Sequence, residues 1–438
     1  MNKIKLVIAL ITACVSAKAI DYPIKTKTLA NGLKIIVCEK NTSAMAEIQV
    51  WYRVGSKDEW DGVRGMAHLF EHMMFRGSKK FNGDNKPFKV VDKIGGNQNA
   101  YTTFDRTVYH EQVPAKNIET VIEMEADRME NLILDQKVLD TEREVVSEEL
   151  RLGENNWYNR LSSERYKTLY PNKHPYQVDV IGNLSEITSF TTKQCQDFYD
   201  KYYSPNNAFV VITGNVKAED IFAYCEKHFG VIKKQLPVNT KKTEPDIFSH
   251  TISTEEMAVD FPVQIYSYIV PSPPFGHKDY YGFNLLSEVL FTNSNSLLNK
   301  SVVNKNLAYQ INGGQYDARM YSDYSVFDVI MQASVGNAKV KKLISKEINE
   351  IISEGIDEED LKNYISNLET KSVFMNYSNN EINAMLGFAE YYYNDYKRFN
   401  SQLEEYKKIK PDDLKAIAQS YFNPEKLKVI NIKPKETE

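Results

Sequence analysis

Apolar and polar residues change their spacing several times along this chain, and each change marks an element. Asn31-Gly32 separates one extended segment from the apolar run Leu33-Lys34-Ile35-Ile36-Val37. Asn-Gly favours the turn that joins two twisted strands, so the pattern predicts a hairpin. A further strand is expected over 47–54. Helical spacing takes over at 67–75 and returns at 117–134 and 136–152. The apolar run Ala208-Phe209-Val210-Val211-Ile212 reads as another strand, and 218–229 as a helix behind it.

The pattern then repeats. Phe198-Tyr199-Asp200-Lys201-Tyr202-Tyr203-Ser204-Pro205 leads into the strand at 208, and Ile417-Ala418-Gln419-Ser420-Tyr421-Phe422-Asn423-Pro424 leads into Leu427-Lys428-Val429-Ile430-Asn431. The two prolines lie 219 residues apart in a chain of 438. One repeat of that length predicts two similar domains rather than a solenoid, and the chain is too long for a single core. The expected boundaries are 20–232 and 247–438, joined by the polar, lysine-rich stretch 233–246. Strands and helices do not alternate regularly within either half. Each is therefore expected to be an α+β layer, a mainly antiparallel sheet covered by helices.

The first nineteen residues read as an export signal. Lys3 and Lys5 precede an apolar run over 6–15, and Ala17-Lys18-Ala19 supplies small residues for cleavage. The run is too short to span a bilayer. Ile11-Thr12-Ala13-Cys14 offers a second reading, a lipoprotein anchored through Cys14. Either route places the mature chain outside the cytoplasm, with the periplasm as the expected compartment. A net charge of −5 and a pI near 5.9 argue against a nucleic-acid partner. Cys38, Cys195 and Cys225 have no metal-ligand spacing and read as small buried hydrophobes.

The chemistry concentrates in Gly65-Met66-Ala67-His68-Leu69-Phe70-Glu71-His72-Met73-Met74-Phe75. Residues four apart share a helix face, so both imidazoles can reach one zinc ion. Glu71 stands beside that face, in reach of a water to be deprotonated. The apolar flanks bury this helix, and buried histidines need partners. A third ligand must come from elsewhere. The predicted helix 136–152 carries Glu142, Glu144, Glu148 and Glu149, and its apolar stripe runs through Val138, Val145 and Val146. Glu142 and Glu149, seven apart, both fall beside that stripe. Glu149 is the candidate ligand and Glu142 the group that orients ligand or water; a small error of helix phase would put Glu148 in place of Glu149. In the second half, Leu285-Leu286-Ser287-Glu288-Val289-Leu290-Phe291 aligns with 68–74 and puts Leu285 and Val289 where the histidines stand. One half is expected to hold metal and the other not. His110, His174, His228, His250 and His277 are isolated, with surface or capping roles expected.

His68-Leu69-Phe70-Glu71-His72 is the H-x-x-E-H pattern of the inverzincins, and the chain resembles the pitrilysin family of zinc metallopeptidases, which includes insulin-degrading enzyme and the mitochondrial processing peptidases. The likeness extends over the Asn31-Gly32 hairpin, Gly95-Gly96-Asn97-Gln98-Asn99-Ala100-Tyr101-Thr102, Glu142-Arg143-Glu144-Val145-Val146-Ser147-Glu148-Glu149 and His174-Pro175-Tyr176. The resemblance implies one zinc per chain, with Glu149 as third ligand after 76 intervening residues and Glu142 as the upstream helix glutamate. It implies two homologous halves closing as a clamshell, and peptides bound as an added strand along Asn99, Ala100, Tyr101 and Thr102. It also implies a catalytic tyrosine at Tyr309, in Leu307-Ala308-Tyr309, but Ser296 occupies the position of the family's arginine. A homodimer, or a heterodimer with a related subunit carrying that arginine, is one expectation that follows. Two other functions compete with peptide hydrolysis: a non-catalytic scaffold or peptide-binding subunit of the same fold, and a metal-storage protein in which Glu71 would have no task.

Overall fold

The computed structural model describes residues 22–236, 247, 256–259, 264–314, 318–332, 335–375, 378–425 and 427–434. The expected export signal with Cys14, most of the expected linker, and His250 lie outside these residues. The first half contains β1 (Ile24–Thr28), β2 (Lys34–Glu39), β3 (Met45–Tyr52), α1 (Met66–Met73), α2 (Pro87–Lys93), β4 (Asn97–Thr102) and β5 (Thr107–Pro114). It continues with α3 (Ile118–Glu130), α4 (Gln136–Asn155), α5 (Trp157–Leu169), α6 (Leu184–Ile187), α7 (Thr192–Tyr202), β6 (Ala208–Gly214) and α8 (Ala218–His228). The second half contains β7 (Glu256–Val259), β8 (Ile265–Ser272), α9 (Tyr280–Ser287), β9 (Ala308–Gly314), β10 (Asp323–Met331), α10 (Asn337–Glu354), α11 (Glu358–Met375), α12 (Asn379–Tyr393) and β11 (Lys428–Pro434).

The strands form two sheets in the orders β1-β2-β6-β3-β5-β4 and β7-β11-β8-β10-β9. Among the described residues, the second order matches the first from β2 onward, with no counterpart of β1. Even the parallel pair is kept: β2 runs parallel to β6 and β7 to β11, while the other pairs are antiparallel. The repeats at Pro205 and Pro424 thus lead into equivalent inner strands, β6 and β11, of a duplicated sheet. Helix α9 follows β8 and precedes β9 as α1 lies between β3 and β4, and both Leu285, in α9, and Val289, in the helical turn after it, are buried.

Sheet one is covered on both faces, which explains why β6 is apolar without alternation. Ile35, Val37, Ile48, Val50 and Tyr52 point into a core shared with α1, α3 and α8. Ile36, Cys38, Trp51, Phe209 and Val211 point the other way, against Ile382, Leu386 and Tyr391 of α12. A helix of the second half therefore seals the first half's sheet. The approach is close: a side chain at Gly387 would come within 2.2 Å of the Trp51 ring. Asn383 donates to the Glu47 and Val211 carbonyls at 3.0 and 3.3 Å, and Lys34 pairs with Glu390 at 2.6 Å.

Two buried charges fasten the halves elsewhere. Arg165 of α5 donates to both oxygens of Asp328 in β10, at 2.7 and 2.9 Å. Asp105, in the bend after β4, accepts from the Tyr176 hydroxyl at 2.9 Å and from the Met320 amide at 3.0 Å. Its carbonyl accepts from the Tyr391 hydroxyl at 2.5 Å. The end of β4 is thereby held by residues of both halves. No described helix is long and apolar enough to cross a membrane.

Candidate metal centre

Helix α1 is placed before its histidines can do anything. Gly65 has φ +96, a left-handed conformation that a side chain would strain. A Cβ there would also lie 2.5 Å from the Ile181 carbonyl. The first amides of the helix are capped from upstream: the buried Glu59 carboxylate accepts from Gly65 and Ala67, both at 2.8 Å. Burial pushes the Glu59 carboxyl up to about 8 despite those two amides. Glu59 had no signal in the sequence, since a cap seven residues before the first helical residue matches no short-range pattern. Leu69, Phe70 and Met73 then anchor α1 in the core, leaving His68, Glu71 and His72 toward α4 and β4.

His68 Nε2 lies 3.9 Å from Glu149 Oε1, and His72 Nε2 lies 3.3 Å from Glu149 Oε2. One donor atom from each of the three residues falls within 4.8 Å of the others. Two ligand atoms on a tetrahedral zinc at bond lengths of about 2.0–2.2 Å stand about 3.3–3.6 Å apart. The three donors fit such an ion with small side-chain adjustments. Two imidazoles and one carboxylate are a donor set that suits zinc.

Charge in the cluster is strongly polarised. Burial, with His72 beside it, pulls His68 down to about 4. Burial also works against charge on His72, but Glu142 and Glu149 outweigh it and hold His72 up at about 9. The His72 contact in turn keeps the Glu149 carboxyl below its usual range. Burial raises Glu71, partly offset by the Thr102 hydroxyl, which donates to Glu71 Oε2 at 2.5 Å. Glu142 is fully buried behind His72: its Oε2 is 3.6 Å from His72 Nδ1 and its other oxygen pairs with Arg76.

The glutamate helix differs from expectation in its phase. Val145 is exposed, and the buried line runs through Leu139, Glu142, Val146 and Leu150. Glu149 stands on the rim of that line, half-exposed and facing α1, whereas Glu148 turns to solvent and pairs with Arg151. Glu144 is exposed. A cleft of about 570 Å³ opens in front of His68, Glu71 and Glu149, walled by Ala100, Tyr101 and Thr102 and by the segment 177–184. Asn99 is exposed on the same strand, outside the cleft wall. Strand β4 is an edge strand of its sheet, paired among the described residues with β5 only.

Two residues anticipated near the chemistry are elsewhere. Tyr309 lies on β9, the outer strand of the second sheet; its side chain is more than half exposed and takes no part in the cleft wall. It follows the second half's own sheet edge. Ser296 is buried in a turn, donating to the Phe291 carbonyl at 3.2 Å and accepting from Asn299. Of the isolated histidines, His174 departs from a surface role. It is buried, stacked on Tyr170 at 4.7 Å, and its Nδ1 accepts from the Tyr176 amide at 3.1 Å. His110, His228 and His277 lie near Glu47, Glu119 and Asp279. Cys38, Cys195 and Cys225 are buried and unpaired.

Comparison with known proteins accords with this geometry. Residues 34–178 match the family model Insulinase (Peptidase family M16), and residues 189–368 match Peptidase M16 inactive domain. The chain is 30% identical over 450 aligned positions to Zinc protease PqqE of Helicobacter pylori, covering 98% of this chain and 97% of that one. The crystal structure of a protease from Helicobacter pylori superposes with a TM-score of 0.83 at 25% identity, over 94% of this chain and all of that one. The periplasmic protease PqqL of Escherichia coli gives a TM-score of 0.72 at 18% identity; 95% of this chain matches 48% of that longer one. With its H-x-x-E-H helix, its duplicated α+β halves and near full-length likeness to a zinc protease, the chain belongs to the M16, or pitrilysin, family of zinc metallopeptidases.

Proposed function

We propose that this chain is an exported zinc endopeptidase or oligopeptidase acting on short or unfolded peptides. His68, His72 and Glu149 hold the metal, one ion per chain. The observation that carries the reading is the convergence of those three donors with Glu71 on the wall of the same cleft. When bound, zinc supplies Lewis-acid polarisation of the scissile carbonyl and makes water easier to deprotonate. Glu71 takes the proton of the attacking water and passes it to the departing amine. Glu142 holds His72 in orientation from behind, through Nδ1.

The outer edge of β4, which pairs with no further strand among the described residues, suits a peptide laid along Asn99–Thr102 as a seventh strand. Main-chain hydrogen bonds of that kind carry little sequence preference, which suits mixed peptides. Tyr309, outside the cleft wall, favours a dimer in which a second chain brings its own groups over the cleft, and Ser296 favours a related second chain that carries the arginine. The double length of PqqL fits an enclosure built from two such units. PqqL's description as periplasmic agrees with the export signal read over 1–19. A peptide-binding scaffold is the competing reading, and chelation separates the two. Stripping the metal from purified protein should abolish hydrolysis of a quenched peptide library, and about one zinc per chain should restore it. Hydrolysis that persists in metal-free protein would overturn the proposal.

A further inference from the structure

We infer that Thr102 is a positioning residue for Glu71, its hydroxyl committed to the base and not to substrate. The inference rests on the proposed role of Glu71 and assigns the group that aims it. Thr102 Oγ1 donates to Glu71 Oε2 at 2.5 Å, and among the described residues no other side chain hydrogen-bonds that carboxylate. A glutamate has three rotatable bonds, so a helix alone fixes where its stem begins, not where its oxygens point. With Oε2 held, the carboxylate is fixed on the wall of the cleft that Glu71 lines.

The hydroxyl is itself well placed to do this. Thr102 ends β4, opposite Thr107 in β5. The next residues form a tight bend in which the Thr103 amide donates to Arg106 O at 2.8 Å and the Thr103 hydroxyl accepts from the Asp105 and Arg106 amides, both at 3.2 Å. Asp105 is fixed in turn by Tyr176, Met320 and Tyr391. The anchor for the base thus hangs from a bend that both halves of the chain hold still. It also sits on the strand proposed to receive the peptide. Thr102 therefore commits its side chain, and a backbone hydrogen bond as well, to Glu71, so a peptide that docks on β4 meets a base whose position is set by the same strand.

The test compares Thr102→Val, which keeps the shape and loses the hydroxyl, with Thr102→Ser, which keeps the hydroxyl. Zinc content is measured for each. A displacement of a catalytic group by about 1 Å costs on the order of 100-fold, so Thr102→Val should lose about 10- to 100-fold in kcat with KM and zinc content unchanged. Thr102→Ser should recover most of that loss, and Thr102→Val should cost nothing further in a Glu71→Gln background. Should Thr102→Val fail to fold, Thr102→Ala is read against Thr102→Ser in the same way. The inference is overturned if the hydroxyl-free variant turns over normally, if serine does not rescue it, or if the loss lies in KM or zinc. If Glu71→Gln itself turns over normally, the assignment of the base has failed, and the role of Thr102 with it.

Discussion

Glu71→Gln should yield a folded protein that holds zinc at full stoichiometry and no longer hydrolyses peptides. The substitution keeps the side chain's length, and its amide oxygen can still accept from the Thr102 hydroxyl that now meets Glu71 Oε2. What it removes is a group able to take a proton at neutral pH. General-base transfer is worth about 10²- to 10⁴-fold, and a single group serving both as base and as acid to the leaving amine puts the loss toward the upper end. Zinc should stay because the converging donors belong to His68, His72 and Glu149, not to Glu71. The check is elemental analysis beside turnover of a quenched peptide. Turnover within tenfold of the unmodified chain would exclude Glu71 as the base.

Glu149→Gln should produce the opposite pattern, in which activity falls because the metal is lost. His68 and His72 come from one turn of α1, and Glu149 is the donor contributed by α4. Without its charge, two imidazoles remain, and a neutral amide is a poor third ligand. Changing groups behind the ligands typically costs about 10- to 100-fold in metal affinity. That range is the expectation for Glu142→Gln, whose carboxylate sits behind His72. Removing the Glu149 ligand charge should cost more than that, leaving the protein largely metal-free after dialysis at concentrations where the Glu142 variant keeps most of its zinc. Competition against a chelator of known affinity gives both numbers. Equal affinities for the Glu149 variant and the unmodified chain would remove Glu149 from the ligand set.

The parts of this site that were legible in sequence are those carried by local periodicity. Two histidines four apart on an apolar helix must share a face, and two glutamates seven apart must share another. The hairpin at Asn31-Gly32 and the duplicated Pro205 and Pro424 segments follow from equally local patterns. The phase of α4 was less legible because its buried line contains a fully buried charge, Glu142. Counting valines therefore centred the stripe on Val145, which is exposed.

Contacts made by folding were not legible. Glu59 caps α1 from outside it, Asp105 gathers donors from Tyr176, Met320 and Tyr391, and α12 crosses more than three hundred residues of sequence to cover Trp51. No short-range rule links those positions. Tyr309 illustrates the converse: its motif was plain, but its place on the outer strand of the second sheet is set by tertiary structure.

The direct measurement is an anomalous difference map, at the zinc edge, from crystals of the protein loaded with zinc. It should contain one strong peak per chain, about 2.0–2.2 Å from an imidazole nitrogen of His68, one of His72 and a carboxylate oxygen of Glu149. An active protein whose metal peak lies away from those three residues, or that shows no peak at all, would contradict the assignment of the centre.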